Sequence, residues 1–402
     1  MPDRQAVKAV FKNGLREGID KGPELCYNKK VNERSPKTEK MAAPAAWNRR
    51  MHMDMKDYGL SRQQAEAAEG FEGLAVARVI AQEKGLYRIA GEKGEKLGEI
   101  TGRLRYQAET ASAFPAVGDF VMAEWNGDGG NAVIHRVLPR RSCFLRKAAG
   151  EARSEQLVAA NIDTVFLCMA LNRDFNLRRL ERYLSTAWDS GATPVIVLTK
   201  ADLCDDLEGK LLAVSAVAMG VQVLSTTMRE AGGYDQIRPY IRRGETVAFI
   251  GSSGAGKSTM INHLLGEERL ETKGLRNDGK GRHTTTHREL ILLPGGGMVI
   301  DTPGMRELGM WDSEEGIDRT FADIEELAGQ CRFRNCSHSG EPGCAIRQAL
   351  ERGQLAAERW QSYQKLKTEN AYMEDSRSYL LAKEQKFKEI ARINKNSKGK
   401  RK

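Results

Sequence analysis

A run of glycine, serine, lysine and threonine residues near the middle of the chain has the types and spacing that bind phosphate groups. Residues 251–259 read GSSGAGKST and fit the pattern G-x-x-x-x-G-K-[ST]. Gly254 and Gly256 let the backbone wrap closely around phosphates, and Lys257 would bridge the β- and γ-phosphates of a nucleotide. Ser258 would place its hydroxyl on Mg²⁺. The residues predicted to bind the phosphates are Gly251, Ser252, Ser253, Gly254, Ala255, Gly256, Lys257, Ser258 and Thr259.

The segments around this loop are those that a phosphate-binding loop requires. The apolar segment ETVAFI precedes it and predicts a strand, and the apolar-periodic segment MINHLLG follows it and predicts a helix. The N-terminus of that helix would add a positive dipole where the phosphates bind. The motif alone leaves ATP and GTP open.

A second motif indicates which base is bound. The apolar strand TPVIVLTKAD ends in TKAD, which matches the pattern [NT]-K-x-D. The carboxylate of Asp202 could accept hydrogen bonds from both N1–H and the exocyclic amine of guanine, and adenine has no such pair of donors. Lys200 would lay its aliphatic stem along the base, and Thr199 would connect this loop to the phosphate loop. The residues predicted to bind the base are Thr199, Lys200, Ala201, Asp202, Ser225 and Thr226, the last two through backbone N–H groups that reach guanine O6.

Two further segments are predicted to sense the γ-phosphate. The sequence DTPG at residues 301–304 follows an apolar strand, so Asp301 would reach Mg²⁺ through water and the N–H of Gly304 would contact the γ-phosphate. The sequence GRHTTTH supplies a switch threonine for the metal, and we choose Thr285. The residues predicted to take part in catalysis are Lys257, His283, Thr285, Asp301 and Gly304.

The group that orients the attacking water is left open by the residues. Met305 follows Gly304, and an apolar side chain cannot polarise water. We therefore expect slow intrinsic turnover, with the missing group supplied by His283 or by a partner. His283 as an ordinary surface residue is the alternative.

The order of these motifs is unusual. The base motif ending at Asp202 precedes Lys257 of the phosphate loop, which precedes Thr285 and Asp301, whereas in conventional GTPases the phosphate loop comes first. Both main motifs follow apolar strands and are expected to face one crevice, because ligands bind where parallel strands end. The sequence therefore predicts a circularly permuted GTPase domain.

A cluster of soft ligands lies C-terminal to these motifs. Cys331, Cys336, His338 and Cys344 provide three thiolates and one imidazole within the segment CRFRNCSHSGEPGC. This set satisfies tetrahedral Zn²⁺ and leaves no open position, which indicates one structural zinc ion rather than metal catalysis. Buried free cysteines are the alternative. The basic residues Arg332, Arg334 and Arg347 flank the cluster and could face phosphate.

The remaining pattern predicts several domains, as the length of 402 residues also suggests. Residues 71–150 contain five short alternating segments and predict an OB-fold barrel, and residues 151–317 alternate strands and helices, which predicts a mostly parallel sheet with helices on both faces. Residues 318–402 form the predicted zinc-binding helical domain with a basic tail, residues 51–70 a linker or helix, and residues 1–50 a flexible basic extension. The basic and aromatic residues that could give the barrel an RNA-binding face are Arg103, Arg105, Tyr106, Arg136, Arg140 and Arg141.

Composition narrows the class of protein. The net charge of +9 favours a polyanionic partner, although a merely soluble basic protein has the same charge. The seven cysteines include the local cluster and fit a reducing compartment. The chain has no apolar run of about 18 residues and no secretion signal at its N-terminus. We expect a cytoplasmic protein that binds neither membrane nor DNA.

The motifs TKAD, GSSGAGKST, GRHTTTH, DTPG and C-x4-C-x-H-x5-C, in that order, resemble the ribosome small-subunit-dependent GTPase A family, also called RsgA or YjeQ. The resemblance extends from about Phe71 to the C-terminal helices. It implies an OB-fold, a permuted GTPase domain and a zinc domain, with GTP or GDP, Mg²⁺ and one Zn²⁺ as cofactors. It also implies binding to the 30S subunit and its 16S rRNA late in assembly, hydrolysis stimulated by the ribosome and release afterwards. We expect a monomer.

Two alternatives stay open. In the first, the protein is an RNA-binding assembly factor in which GTP is mainly a binding switch. In the second, it is an ATP-using enzyme, which Asp202 disfavours because adenine presents the wrong hydrogen-bond pattern. The sequence departs from the family pattern in residues 1–50 and at Thr226 and Thr227, where a small residue such as alanine is commoner.

Overall fold

The computed structural model describes residues 54–83, 85–108, 110–127, 130–147, 155–229, 232–270, 288–301 and 314–371. The predicted extension over residues 1–50 lies outside these ranges. His283, Thr285 and Gly304 also lie outside them.

Strands and short helices alternate through the described residues. The strands are β1 (Ala75–Gln82), β2 (Tyr87–Gly91), β3 (Gly94–Ile100), β4 (Phe120–Glu124), β5 (Ala132–Val137), β6 (Cys143–Lys147), β7 (Glu155–Ala160), β8 (Thr164–Ala170), β9 (Thr193–Thr199), β10 (Gln222–Ser225), β11 (Thr246–Gly251), β12 (Glu289–Leu292) and β13 (Met298–Asp301). The α-helices are α1 (Arg62–Ala68), α2 (Gly102–Gln107), α3 (Leu177–Ser190), α4 (Leu207–Val217), α5 (Lys257–Leu265), α6 (Glu314–Thr320), α7 (Ala322–Gly329) and α8 (Ala345–Glu351). Residues 357–371 are also helical. Among the described residues, none of the helices combines the length and the apolar character that crossing a membrane requires.

The first five strands close into a barrel. Their order is β1-β2-β3-β5-β4, and β4 pairs back with β1. The β3–β5 pair is parallel and the other pairs are antiparallel. Helix α2 lies in the connection between β3 and β4, and alternate apolar residues such as Ile89, Val121 and Ile134 fill the interior. The OB-like barrel predicted from the sequence is confirmed.

The next strands form a sheet in the order β10-β9-β8-β11-β13-β12, parallel except for β12. Successive residues of β8 point to opposite faces. Leu167 packs with the residues of α3 and α4 on one face, and Phe166 packs with Met260 and Leu264 of α5 on the other. The predicted mostly parallel sheet with helices on both faces is therefore confirmed.

The barrel and this sheet are joined, which the sequence does not predict. Strand β1 pairs with β12 through Ala81 and Glu289, so the two sheets form one sheet of eleven strands. The fully buried Arg78 of β1 donates to the backbone carbonyls of Tyr58, Gly118 and Asn161 at this junction. Burial lowers the pKa of Arg78 to about 9.

The C-terminal helices pack on α3 through buried charges. Glu181 of α3 is fully buried and accepts hydrogen bonds from Arg178 of the same helix and from Arg359. Ile317, Phe321 and Ile346 belong to a separate apolar core of these helices. The predicted domain boundaries stay predictions, although the one after residue 150 separates two strands that pair with each other, β6 and β7, and the one after residue 317 falls within α6.

Candidate nucleotide site and metal centre

The phosphate-binding motif lies between a strand and a helix, as the sequence predicts. Strand β11 ends at Gly251, and α5 begins at Lys257. A side chain at Gly251 would overlap the backbone carbonyl of Cys168 on the neighbouring strand β8, so only glycine lets the loop leave the sheet there. Gly256 precedes the helix with φ of 88°, a left-handed conformation that glycine adopts without strain. The N–H groups of the first helical turn then point into the loop.

The side chain of Lys257 lies over this loop. Its Nζ donates to the carbonyl of Ser252 at 2.6 Å and also to the carbonyl of Gly251. The ammonium group is thus held against the loop, and the positive end of the α5 dipole lies at the same end of the loop. Cationic and N–H groups gathered at one point fit the phosphate groups of a nucleotide.

The base motif contacts the phosphate loop directly. The hydroxyl of Thr199, which is 1% exposed, donates to the carbonyl of Ala255 at 2.8 Å. Both motifs follow the carboxyl ends of strands in the same sheet, β9 and β11, with β8 between them. Residues 56 positions apart in sequence are thereby fixed against each other.

The loops around Asp202 differ in one respect from the sequence prediction. The N–H of Thr226 donates to the carbonyl of Leu198 at 2.8 Å, so it belongs to the sheet and is not available to a base. The prediction that Thr226 offers its N–H to guanine O6 is therefore not supported, because that N–H is bonded to β9 although β10 ends at Ser225. The side chain of Thr227 instead donates to Asp202 at 2.8 Å.

Asp301 ends strand β13 next to the phosphate loop. The parallel pairing of Ala248 with Ile300 places the end of β13 beside the end of β11. Asp301 is half-buried and is also paired with Glu289 of β12. The other predicted γ-phosphate residues, Thr285 and Gly304, lie outside the described residues, as does His283.

One residue beside the loop was missed by the sequence reasoning. The carboxylate of Asp174 accepts a hydrogen bond from the hydroxyl of Ser252 and pairs with Arg179 at 2.8 Å. Asp174 lies in the segment NRDF that follows the carboxyl end of β8. The position of polar residues just after a central parallel strand is the signal that could have identified it.

The four predicted metal ligands come together. The ligand atoms of Cys331, Cys336, His338 and Cys344 all lie within 4.8 Å of one another. Nδ1 of His338 lies 3.6 Å from Sγ of Cys331 and 3.5 Å from Sγ of Cys344. A tetrahedral Zn²⁺ with ordinary Zn–S and Zn–N distances separates such atoms by about 3.6 Å. The donor set and its spacing therefore fit zinc.

Backbone N–H groups support these sulfur atoms. Ala345 donates to Cys331 Sγ at 3.3 Å and Arg347 donates to Cys344 Sγ at 3.4 Å. Desolvation acts to raise the pKa of Cys331, but backbone N–H donors including Ala345 outweigh it, and the pKa lies below its usual value. A thiolate stabilised in this way is the form that binds a metal.

Comparison with known proteins places the chain in a family. The family model described as RsgA GTPase matches residues 137–311. The "Small ribosomal subunit biogenesis GTPase RsgA 2" of Lactiplantibacillus plantarum is 49% identical over 323 residues, which cover 80% of this chain and 91% of that protein. The chain belongs to the RsgA family of GTPases. A second RsgA protein, from Opitutus terrae, is 47% identical over 311 residues, 75% of this chain and 85% of that protein.

Solved structures agree with the RsgA assignment. YjeQ from Thermotoga maritima has 25% sequence identity and a TM-score of 0.56, with 74% of this chain and 99% of that chain covered. YloQ, described as a circularly permuted GTPase, has 26% identity and a TM-score of 0.53, with 75% and 97% covered. In this chain the base motif follows β9 and therefore precedes the phosphate loop, which follows β11. The circular permutation predicted from the motif order is confirmed.

The basic residues of the barrel fall into two groups. Arg140 binds Asp119 through both oxygens at 2.7 and 2.8 Å, and Arg141 binds Asp163 at 2.7 Å. Arg136 lies over the ring of Phe71, 5.3 Å from its centroid. These arginines already have partners within the protein. The members on helix α2, Arg103, Arg105 and Tyr106, are exposed, and Tyr106 is 89% exposed.

Proposed function

We propose that this protein hydrolyses GTP to GDP and phosphate during late maturation of the small ribosomal subunit. The hydrogen bond from Thr199 to Ala255 carries the proposal, because it brings a guanine-type motif and a phosphate loop into one crevice. Membership of the RsgA family supports the ribosomal part, since the relatives are named small ribosomal subunit biogenesis GTPases.

The nucleotide would lie across the carboxyl ends of β9 and β11. Lys257 and the N–H groups at the start of α5 would hold the phosphates, and Asp202 would accept from the guanine edge. The N–H for guanine O6 would come from the segment at Thr227 rather than from Thr226. A bound Mg²⁺ would supply charge neutralisation between the phosphates, as in other phosphoryl transfers.

The magnesium site would be built from oxygen ligands of neighbouring elements. Ser258 lies in the first turn of α5, and Asp301 ends the adjacent strand β13. Mg²⁺ prefers oxygen ligands and usually keeps several waters, so a hydroxyl and one carboxylate suit it. Thr285 would be the switch ligand and Gly304 the γ-phosphate sensor, with His283 near the attacking water.

The Cys₃His cluster would hold one structural Zn²⁺. Its ligands leave no open coordination position, so the metal would stabilise the C-terminal helices rather than take part in hydrolysis. The Nδ1 of His338 faces two of the sulfur atoms, which fixes the nitrogen that would bind the metal.

The RNA partner would be 16S rRNA in the 30S subunit. Helix α2 carries Arg103, Arg105 and the exposed Tyr106, which could contact phosphates and stack on an unpaired base. The net charge of +9 supports a polyanionic partner. We propose a cytoplasmic monomer.

The test is hydrolysis of GTP and ATP by purified protein with and without 30S subunits at one stated salt concentration, since phosphate contacts weaken steeply with salt. We expect slow, GTP-selective turnover that rises strongly with 30S subunits. Turnover that the subunit does not change would leave a GTPase and remove the ribosomal part. Equal use of ATP would remove the role of Asp202.

A second candidate, an assembly factor in which GTP is mainly a binding switch, is favoured by one observation. Strand β12, which follows the predicted switch threonines, pairs with barrel strand β1. Nucleotide-dependent changes next to β12 would therefore reach the barrel without passing through a flexible linker. Retention on 30S particles by a GTP analogue, with release by GDP, would distinguish this candidate.

A further inference from the structure

The carboxylate of Asp202 is engaged on both oxygens by the segment that follows β10. Thr227 Oγ1 donates to Oδ1 at 2.8 Å, and Nε of Arg229 lies 3.0 Å from Oδ2. The N–H of Arg229 donates to Thr227 Oγ1 at 3.1 Å, which fixes the turn between these two residues. The side chain of Asp202 is 20% exposed and that of Arg229 is 72% exposed. A solvent-exposed arginine thus covers a largely shielded carboxylate.

Arginine and guanine present the same donors to a carboxylate. The guanine edge offers N1–H and an amine on C2, which are N–H groups bound to one carbon atom. The guanidinium of Arg229 offers its N–H groups in the same fork, and carboxylates accept that geometry well. A carboxylate placed to recognise guanine is therefore also placed to bind arginine. Adenine has an acceptor at N1 and does not compete for Asp202.

We propose that Arg229 competes with guanine for Asp202 and so sets the affinity of the protein for guanine nucleotides. The proposal rests on the proposed function, because it takes Asp202 as the residue that recognises the base. If Arg229 closes the base site in some of the molecules, only the remaining open fraction can bind the base. The apparent affinity is then the intrinsic affinity multiplied by that open fraction. Because Arg229 is exposed, the ion pair is weak, and the reduction is about two- to fivefold.

The effect falls on guanine nucleotides alone. If Arg229 attracted the phosphates, its removal would weaken the binding of every nucleotide. If Arg229 competes for Asp202, its removal tightens the binding only of nucleotides whose base contacts Asp202. The two effects therefore have opposite signs, and comparison of GDP with ADP separates them. Salt should reduce the competition, because it screens an exposed ion pair.

The experiment measures equilibrium binding of GDP and ADP to the full chain with Mg²⁺. The variants are Arg229→Gln and, as a matched control, Arg238→Gln, because Arg238 is an exposed arginine that pairs with Asp235 at 3.1 Å. We expect Arg229→Gln to bind GDP about two- to fivefold tighter at low salt, with ADP affinity unchanged. The Arg238 variant should bind both nucleotides as the wild type does.

Three results would overturn competition. Unchanged or weaker GDP binding by Arg229→Gln would do so, and weaker binding would assign Arg229 the role of positioning Asp202. The same gain with xanthosine diphosphate in an Asp202→Asn background would also do so, because competition requires the carboxylate. A wild-type protein with no preference for GDP over ADP would overturn both the inference and the proposed function. A clear GDP preference that Arg229→Gln does not alter overturns the inference alone.

Discussion

Arg359 donates a hydrogen bond to the fully buried carboxylate of Glu181 at 2.8 Å and, at the same time, pairs with Asp323 at 2.6 Å. Glu181 lies in α3 beside the nucleotide-binding sheet, whereas Asp323 lies in α7 near the metal cluster. The guanidinium, 7% exposed, therefore ties the C-terminal helices to the nucleotide-binding part through buried charge. These helices follow β13 and the DTPG motif in the chain, so this contact is one of those that anchor the segment after the predicted switch.

Replacement of Arg359 by alanine should be strongly destabilising. A buried ion pair that loses one partner leaves an uncompensated charge, which costs about 3 to 5 kcal/mol. Arg178 and Ser362 still contact Glu181, so we expect the lower end of that range. Urea unfolding, followed by the signal of the C-terminal tryptophan Trp360, measures the change.

The matched control is Arg347→Ala, because Arg347 pairs with Glu351 on an exposed helix surface. Its unfolding free energy should change by no more than about 0.5 kcal/mol. An Arg359 variant as stable as this control would show that the buried pair does not hold the C-terminal helices in place.

Removal of the metal should affect the C-terminal helices and spare nucleotide binding. The His338 ring packs edge-to-face on Trp360, with ring centroids 5.6 Å apart. The fluorescence of Trp360 should therefore change when the metal is lost. We expect one zinc ion per chain by elemental analysis and a large fluorescence change on addition of a chelator. GDP binding should stay close to that of the untreated protein, because the two sites share no ligands.

Cysteine variants supply the control for this prediction. Cys336→Ser should lower the zinc content well below one ion per chain, whereas Cys204→Ser, a cysteine outside the cluster, should leave it unchanged. Full zinc occupancy in the Cys336 variant would contradict the assignment of this residue as a ligand.

The local motifs were predictable from the sequence because their residues are close together in the chain. The phosphate loop lies directly between its strand and its helix, and the metal ligands span residues 331 to 344, so spacing alone indicated both sites. The hydrogen bond from the amide of Thr226 to the carbonyl of Leu198 in β9 could not be predicted, because it depends on the neighbouring strand. Element boundaries of this kind are the least certain part of a sequence prediction.

The junction between barrel and sheet could not be predicted in the same way. Arg78 is bonded to Asn161 and contacts the sulfur of Met298, residues 83 and 220 positions away. No local pattern marks an arginine in the middle of a strand as a buried link between domains. The hydrogen bond between Thr227 and Asp202 could not be predicted for a similar reason, since Thr227 is 25 positions away and follows a different strand.

Removal of the Thr199 hydroxyl should weaken nucleotide binding without unfolding the sheet. Thr199→Val keeps the size and branching of the side chain but leaves the Ala255 carbonyl without this donor. A hydrogen bond of this kind contributes about 1 kcal/mol, which corresponds to a loss of about five- to tenfold in affinity if the loop needs it for its bound shape. Titration with fluorescent GDP measures the loss.

Thr199→Ser is the control, because it retains the hydroxyl and should bind within about twofold of the wild type. A valine variant with wild-type affinity would show that the phosphate loop keeps its shape without the base motif. The contact would then be a consequence of the fold and would not position the loop.

The ion pair between Asp57 and Arg243 predicts a difference in stability that depends on pH. Nε and Nη2 of Arg243 donate to the Asp57 carboxylate at 2.7 and 2.9 Å, and this hydrogen bonding holds the pKa of Asp57 below its ordinary value of 3.8. Because the folded pKa is lowered, the stabilisation is present above about pH 4 and is lost as the pH falls through the folded pKa. Asp57→Asn should therefore be less stable than the wild type at pH 7, and the difference should shrink as the pH falls below about 4 and vanish below the folded pKa of Asp57.

Thermal unfolding of both proteins across this pH range measures the effect, which should be small, as for other exposed ion pairs. Glu66→Gln, which removes an exposed pair with Arg62 on α1, is the comparison. A difference between wild type and Asp57→Asn that does not decrease as the pH falls below about 4 would assign the contribution of Asp57 to packing and not to charge.

The exposed face of α2 should contribute to binding of the 30S subunit. Arg103, Arg105 and Tyr106 are exposed on this helix, whereas Leu104 packs against the barrel core. The three exposed residues can therefore be changed without opening that core. Loss of two phosphate contacts should lower the dependence of binding on salt as well as the affinity, whereas loss of the tyrosine ring should lower affinity without changing the salt dependence. The measurement is sedimentation with 30S particles at several salt concentrations, with Arg88→Ala as the control because Arg88 pairs with Glu83 elsewhere on the barrel. If the double arginine variant has the affinity and salt dependence of the Arg88 control, then α2 is an ordinary solvated surface and the RNA contact of the barrel lies on another face.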